Sequence, residues 1–282
     1  MRRSYLLDTS AFRAVPGNRL ADASLHSRLL VSPFCFWELL THLGDEGRFE
    51  RSKGNLMKLR YVLVLDDPKT SIERDVGSSD IHQRPADSEF IYATLAALKD
   101  STSLSDFYNR QIRVHDDIRE IAGCVGRICE SLDSEERRFQ NYVADVMTAI
   151  RTGKVAVEGS ADRHHAALQI VNAWSEHFAE KAVDESTARA VAQRRMYIYC
   201  SYVLHVAIDC LQRCTETVAK NDFEDSCFCQ HLALDAETIA VTEDNGLRRC
   251  LQDAIELANS LPDSSFHTNL QVASSEEIER SC

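Results

Sequence analysis

The chain has 282 residues, 44% of them hydrophobic, and a formal net charge of −12 at pH 7. This length is enough for one large or two smaller domains with a substantial core, and the negative charge argues against a protein that coats nucleic acid. The N-terminal apolar run stops at Asp8, too early for a signal peptide. We therefore expect a cytoplasmic protein whose ten cysteines are reduced.

The N-terminal quarter of the sequence predicts strands that alternate with helices. Short apolar runs predict strands at residues 4–7, 29–32 and 61–65, and a helix lies near residues 36–44 between the second and third strand. Such alternation is typical of a mainly parallel sheet covered by helices.

Residues 69–215 predict a large helical insertion. No proline occurs in residues 86–261, and apolar residues recur at helical spacing, as at Phe90, Ile91 and Leu95. The pattern continues through Ile112 and Ile118, so we expect an all-α segment. We expect breaks near residues 100–105, 132–134, 153–160 and 184–186, with Asp133 or Ser134 capping one helix.

The nearly apolar run at residues 196–211 predicts a buried helix. It is shorter than the roughly 20 residues that a membrane span needs, and it contains His205 and Asp209. Ser201, His205 and Asp209 follow one another at i,i+4 spacing in this run. One helix cannot give the converging geometry of a hydrolase triad, so we interpret them as a polar stripe.

The C-terminal segment returns to alternation, with predicted strands at residues 238–242 and 269–272 and helices near residues 226–234 and 246–260. The whole pattern predicts an α/β fold with a central, mainly parallel sheet, interrupted by an all-α insertion. The predicted division is residues 1–68 and 216–282 for the two parts of the α/β domain and residues 69–215 for the insertion.

Four carboxylates lie where strands should end or helices should begin: Asp8, Glu38, Asp225 and Asp244. In open α/β sheets the carboxyl ends of the strands form the ligand-binding edge. Converging carboxylates repel by about 3 kcal/mol per pair at about 5 Å and an effective dielectric near 20, so such a cluster needs cations. Oxygen ligands suit Mg²⁺ or Mn²⁺. Taken singly, each acid has a structural explanation as a cap, a turn residue or a solvated charge.

The order of these motifs resembles that of the PIN-domain nucleases. The resemblance covers roughly residues 1–66 and 221–278 and does not extend to the insertion. The segments that carry it are Asp8-Thr9-Ser10, Val31-Ser32-Pro33 leading to Glu38-Leu39-Leu40, Asp225, Thr242-Glu243-Asp244 and the closing stretch at residues 270–277.

The resemblance implies a PIN-like three-layer sandwich and a divalent-metal-dependent endonuclease, with RNA as the expected substrate and DNA left open. It implies that Asp8, Asp225 and Asp244 bind Mg²⁺ or Mn²⁺ and that Glu38 binds a second ion or orients the attacking water. Ser10 and Thr242 would support them. Asp222 and Glu243 are auxiliary candidates, although solvated charge explains both better. An antitoxin, as in bacterial toxin–antitoxin ribonucleases, another protein partner and a homo-oligomer stay open.

Cationic and aromatic side chains of the insertion are candidate phosphate and base contacts. Solvated helix faces explain them at least as well, because acids are interspersed. The candidates are Arg110, Arg113, Arg189, Arg194, Arg195, Tyr197 and Tyr199.

Two alternatives stay open from the sequence. A haloacid-dehalogenase-like phosphohydrolase also begins with a strand ending in Asp, but it needs a second acid where this chain has Ser10, and a late lysine for which only Lys220 is available. The other alternative is an inactive PIN-like scaffold that binds a protein partner through its helical insertion.

Overall fold

The computed structural model describes residues 2–44, 48–75, 86–179, 184–261 and 263–280. In this part of the chain the strands are β1 (Ser4–Leu7), β2 (Arg28–Val31), β3 (Leu63–Val64), β4 (Gln111–Val114), β5 (Asp117–Glu120), β6 (Thr238–Val241) and β7 (Gln271–Ala273). The helices are α1 (Thr9–Ala14), α2 (Gly17–His26), α3 (Pro33–Thr41), α4 (Phe49–Met57), α5 (Pro68–Asp75), α6 (Ala86–Lys99), α7 (Leu104–Tyr108), α8 (Ile121–Arg151), α9 (Ser160–Ala179), α10 (Glu185–Gln212), α11 (Lys220–Cys229), α12 (Asn245–Ser260) and α13 (Glu276–Arg280).

The main sheet has five parallel strands in the order β3-β2-β1-β6-β7. Strand β1 pairs with β2 in the register Tyr5 to Leu29, and β6 pairs with β7 in the register Ala240 to Val272. Buried apolar side chains run along β1 and the end of β6, as expected for parallel strands covered on both faces. The predicted α/β class with a mainly parallel sheet is therefore confirmed.

The strand boundaries differ from the prediction at two places. Strand β3 contains only Leu63 and Val64, because Lys58–Tyr61 forms a 3₁₀ turn that takes up the start of the predicted strand. Strand β7 begins at Gln271 and not at residue 269. Both strands are short, and turn geometry next to a short strand leaves little periodic signal in the sequence.

The chain divides into two compact units: Met1–Asp66 with His82–Glu135 and Ser275–Cys282, and Asp67–Ile81 with Glu136–Ser274. The three-segment division at residues 68 and 215 stays a prediction.

The first unit contains an antiparallel hairpin of β4 and β5 that the sequence analysis missed, so the prediction of an all-α insertion is wrong there. Ile112 and Val114 are buried and Arg113 is exposed between them, which is the period-two pattern of a strand. At the turn, His115 has a φ of 55°, a left-handed conformation that histidine adopts more readily than most residues.

Helix α8 runs without interruption from Ile121 to Arg151. The predicted break near residues 132–134 and the predicted cap at Asp133 or Ser134 are therefore wrong. A polar cluster inside a helix carries the same residue types as a cap, and only the continuing backbone hydrogen bonds distinguish the two.

The second unit is built around α10, whose side chains from Met196 to Leu204 are all buried. Asp184 caps its first turn by accepting a hydrogen bond from Thr187 N at 2.6 Å. The predicted buried helix is confirmed, and it begins not at Met196 but at Glu185, where the sequence predicted a break between helices. Within the described part of the chain, no helix is both long and apolar enough to cross a membrane.

Candidate functional site

Asp8 lies directly after β1 in the first unit and caps α1. Its Oδ1 accepts a hydrogen bond from Ala11 N at 2.7 Å, and Ser10 Oγ donates to both carboxylate oxygens at 2.9 Å. The Asp8 side chain is almost fully buried, with the residue only 7% exposed. The sequence Asp-Thr-Ser therefore fixes the orientation of a buried carboxylate at the carboxyl end of a parallel strand.

Glu38 lies on α3 in the same unit and is 6% exposed. Ser32 caps this helix through Cys35 N, and Pro33 occupies its first position, where a missing N–H costs nothing. The Glu38 carboxylate forms an ion pair with Arg13, with Nη2 and Oε1 3.3 Å apart. The guanidinium thus compensates a carboxylate that burial would otherwise destabilise.

The Cys35 thiol is close enough to both Asp8 and Glu38 for their charges to affect its pKa. Burial raises the pKa of the Cys35 thiol most, the negative charge of Glu38 raises it further, and that of Asp8 adds a smaller increase. Arg13 and a hydrogen bond with Thr9 act in the opposite direction. The thiol is therefore held neutral and unreactive, in a negative environment created by the two acids.

Asp225 lies inside α11 and not at its beginning. The helix starts at Lys220, and Asp222 caps this start because its Oδ2 accepts a hydrogen bond from Ala219 N at 2.9 Å. The prediction that Asp225 opens a helix near Ser226 is therefore wrong by more than one turn. Its half-buried carboxylate accepts a hydrogen bond from Tyr202 Oη on α10 at 3.3 Å.

Tyr202 is an uncharged donor to Asp225. Burial raises the pKa of the phenol most, and the Asp225 charge raises it further, so the phenol keeps its proton. Asp225 also lies close enough to Cys250 on α12 to raise the pKa of that buried thiol, after burial itself and Asp253. Asp225 therefore faces the interior of the second unit from α11.

Asp244 lies after β6 and caps α12, accepting a hydrogen bond from Leu247 N at 2.8 Å. Thr242 is fully buried, and its Oγ1 accepts a hydrogen bond from Asp244 N at 3.0 Å. A Cβ at Gly246 would lie 3.1 Å from Asp244 Oδ1, so glycine leaves room for the carboxylate. Arg248 Nη2 donates to Thr242 O at 2.6 Å and fixes the same turn.

Each unit thus contains one pair of the predicted acids: Asp8 and Glu38 in the first, Asp225 and Asp244 in the second. Among the residues described, no group of three or more His, Cys, Asp or Glu side chains is arranged so that it could hold a metal ion. Carboxylate oxygens are the ligand type that Mg²⁺ and Mn²⁺ prefer. The ligand type of the four acids therefore suits a hard divalent cation, but among the described residues no three of these side chains come together as ligands of one ion.

Most of the candidate RNA contacts are already engaged within their own units. Tyr197 and Tyr199 are buried, so neither ring is accessible for stacking on a base. The arginines at positions 110, 189, 194 and 195 pair with Asp106, Glu185, Asp235 and Asp75, respectively. Arg113 is exposed on β4, and Glu243, an auxiliary candidate, is also exposed.

Two residues that touch the predicted acids were missed in the sequence analysis. Arg13 has no sequence signal, because its contact with Glu38 depends on how α1 packs beside α3. Tyr202 had a signal: a tyrosine within a predicted buried helix needs a partner for its hydroxyl. The identity of that partner, Asp225, required the tertiary structure.

Comparisons with known proteins do not assign the chain to a family. No family model, no curated protein and no solved structure matches it. The resemblance to PIN-domain nucleases therefore rests on the sequence motifs alone, and the roles of the four acids stay predictions.

Proposed function

We propose that the protein is a PIN-like, divalent-metal-dependent endonuclease that hydrolyses phosphodiester bonds of RNA, with DNA left open as an alternative substrate. The supporting observation is that Asp8 and Asp244, which each follow a parallel strand, both cap the next helix with a held carboxylate. Carboxylates at the carboxyl ends of parallel strands are placed where α/β sheets bind ligands.

In this proposal Asp8, Asp225 and Asp244 bind Mg²⁺ or Mn²⁺, and Glu38 binds a second ion or orients the attacking water. A bound divalent ion would lower the pKa of a coordinated water and neutralise charge on the phosphoryl group. The protein's own contribution is orientation. Ser10 holds the Asp8 carboxylate, Thr242 holds the turn that carries Asp244, and Tyr202 donates to Asp225.

The finer fold assignment belongs to the same proposal. A PIN-like three-layer sandwich would comprise residues 1–68 and 216–282, and the segment at residues 69–215 would be an insertion. The parallel five-stranded sheet is compatible with this architecture. The insertion would then determine which RNA reaches the acids, since the compact PIN pattern covers only the remaining segments.

The test is cleavage of a mixed pool of structured and single-stranded RNA by the full chain with Mn²⁺ and with EDTA. Asp8→Asn and Asp225→Asn keep a hydrogen-bonding oxygen but remove the charge. The control variant Asp145→Asn removes an exposed charge on α8, which carries none of the four acids. We expect cleavage that requires Mn²⁺, falls at least about 100-fold in the first two variants and persists in the third. In calorimetric titration, Mn²⁺ should bind the wild type and Asp145→Asn with similar affinity and bind Asp8→Asn and Asp225→Asn more weakly.

A second candidate is an inactive PIN-like scaffold that binds a protein partner. The ion pair between Arg13 and Glu38 favours it, because one predicted metal ligand already has a cationic partner. If the wild-type protein neither cleaves RNA nor binds Mn²⁺, the nuclease is ruled out and the scaffold remains. Cleavage that is insensitive to EDTA and to both Asn variants would contradict the four-acid site.

A further inference from the structure

The second unit contains a cavity of about 490 Å³ that the proposed nuclease does not use. It lies between the start of α9, the C-terminal half of α10 and the C-terminal half of α12, all within residues 136–274. Its volume is in the range of small-molecule sites.

The charges around this cavity are mainly negative. Four acidic residues line it, and the only cationic residue in the lining is Arg163, with His205 as the other titratable base. Arg163 is partly engaged, because its Nε donates to Val157 O at 3.3 Å. The acids are Glu158, Asp209, Asp253 and Glu256, of which Asp209 pairs with Arg213. The other three carboxylates of the lining outnumber its one guanidinium, and this excess of negative charge favours a cationic ligand.

The buried part of the lining combines apolar carbon atoms with one hydroxyl. Leu204, Cys250 and Ala254 are buried and apolar, and Ser201 beside them is only 9% exposed. The Ser201 hydroxyl has a side-chain hydrogen-bonding contact with the Tyr197 phenol, which lowers the pKa of that phenol against the larger raising effect of burial. This contact is poorly aligned, and no other donor or acceptor among the described residues meets Ser201 Oγ. A buried hydroxyl that is only weakly paired is costly, and a ligand N–H would satisfy it.

The positions of Ser201, His205 and Asp209 in this lining exclude a hydrolase triad. All three line the cavity from successive turns of α10, so the histidine cannot receive the serine proton and the aspartate hydrogen bond in one converging arrangement. Asp209 is instead bonded to Arg213, one turn later. The stripe can bind a ligand but does not form a nucleophile.

We propose that this cavity binds an aliphatic polyamine, a short methylene chain with two or more ammonium groups. Asp253 and Glu256 bind the ammonium groups, Leu204 and Ala254 contact the methylene groups, and Ser201 Oγ accepts one N–H. The proposal rests on the cavity alone and does not depend on nuclease activity.

The test is calorimetric titration of the full chain with spermidine, with an uncharged diol of similar length as the ligand control. The double variant Asp253→Asn/Glu256→Gln removes two exposed cavity charges. Asp145→Asn/Glu237→Gln removes two exposed charges of the same unit outside the cavity, so both variants have the same net charge. Circular dichroism checks that all variants are folded.

We expect the Kd for spermidine to rise about tenfold or more in the cavity variant, since charge-assisted hydrogen bonds are lost. It should stay within about twofold in the control variant, and Ser201→Ala should raise it about threefold. The diol should not bind. Equal weakening in both double variants, or no binding of spermidine to the wild type, would overturn the proposal, because either result reduces the cavity to a solvated acidic surface.

Discussion

Asp8 has a structural role and a proposed catalytic role that two substitutions can separate. Asp8→Ala removes the cap of α1 and the acceptor of Ser10, so we expect a loss of about 0.5–2 kcal/mol in the free energy of unfolding. Asp8→Asn keeps the cap and should lose less. Urea unfolding measures both, and cleavage should be lost in both. If the Asn variant were as unstable as the Ala variant, the charge and not the cap would hold the segment.

The pair of Glu38 and Arg13 gives a second prediction at the residue scale. Arg13→Ala leaves a nearly buried carboxylate without its guanidinium, so we expect a loss of about 1–3 kcal/mol in the free energy of unfolding. The exposed Arg51→Ala is the matched control and should lose less than about 0.5 kcal/mol.

A double-mutant cycle checks that the loss arises from this pair. Glu38→Gln alone and combined with Arg13→Ala should show a coupling free energy clearly above zero. Additive effects of the two substitutions would mean that Arg13 stabilises α1 independently of Glu38.

At the scale of elements, α8 tests whether the polar stretch at Asp133 and Ser134 is helical. Ser134→Pro should cost about 3 kcal/mol or more, because proline removes a backbone hydrogen bond and clashes with the preceding turn. Ser134→Ala should be neutral or slightly stabilising, because alanine has the higher helix propensity. Thermal unfolding followed by circular dichroism measures both. A proline variant as stable as the alanine variant would restore the break expected from the sequence.

The elements also show why some predictions were right and others wrong. The strands of the parallel sheet and helix α12 were located because short apolar runs and a strong amphipathic pattern are local signals. The hairpin of β4 and β5 was missed because Ile118, Ile121 and Val125 follow one another at helical spacing, and Ile112 was assigned to the same pattern. The start of α11 was misplaced because an interior aspartate and a capping aspartate look alike in sequence.

At the scale of the whole molecule, the pH dependence of unfolding should report two half-buried histidines, His231 and His164. Burial lowers the pKa of His231 to about 3, and the Arg195 guanidinium acts in the same direction. In the unfolded chain the pKa of histidine is about 6.5. Between these values the unfolded state binds a proton that the folded state does not, so stability falls as the pH falls from about 6.5 towards 3.

We therefore expect the urea midpoint of the wild type to decrease between pH 7.5 and pH 4.5, and His231→Gln to decrease less. Burial also lowers the pKa of His164. His164 therefore also makes the protein less stable as the pH falls, and the His231→Gln variant retains this effect. Burial raises the pKa of Asp222. Asp222 therefore makes the folded state more stable as the pH falls, equally in the wild type and in the variant. The exposed His26→Gln is the control. Parallel curves for His231→Gln and the wild type would contradict the prediction.

The sequence by itself determined the α/β class, the order of the main strands and helices along the chain, and the local supports of Asp8 and Asp244, since caps and strand ends depend on neighbouring residues. The tertiary structure decided which groups meet these acids. The Arg13 partner of Glu38, the Tyr202 donor to Asp225 and the cavity along α10 join residues distant in sequence. Such contacts are fixed by the packing of whole elements, and no local pattern in one sequence encodes them.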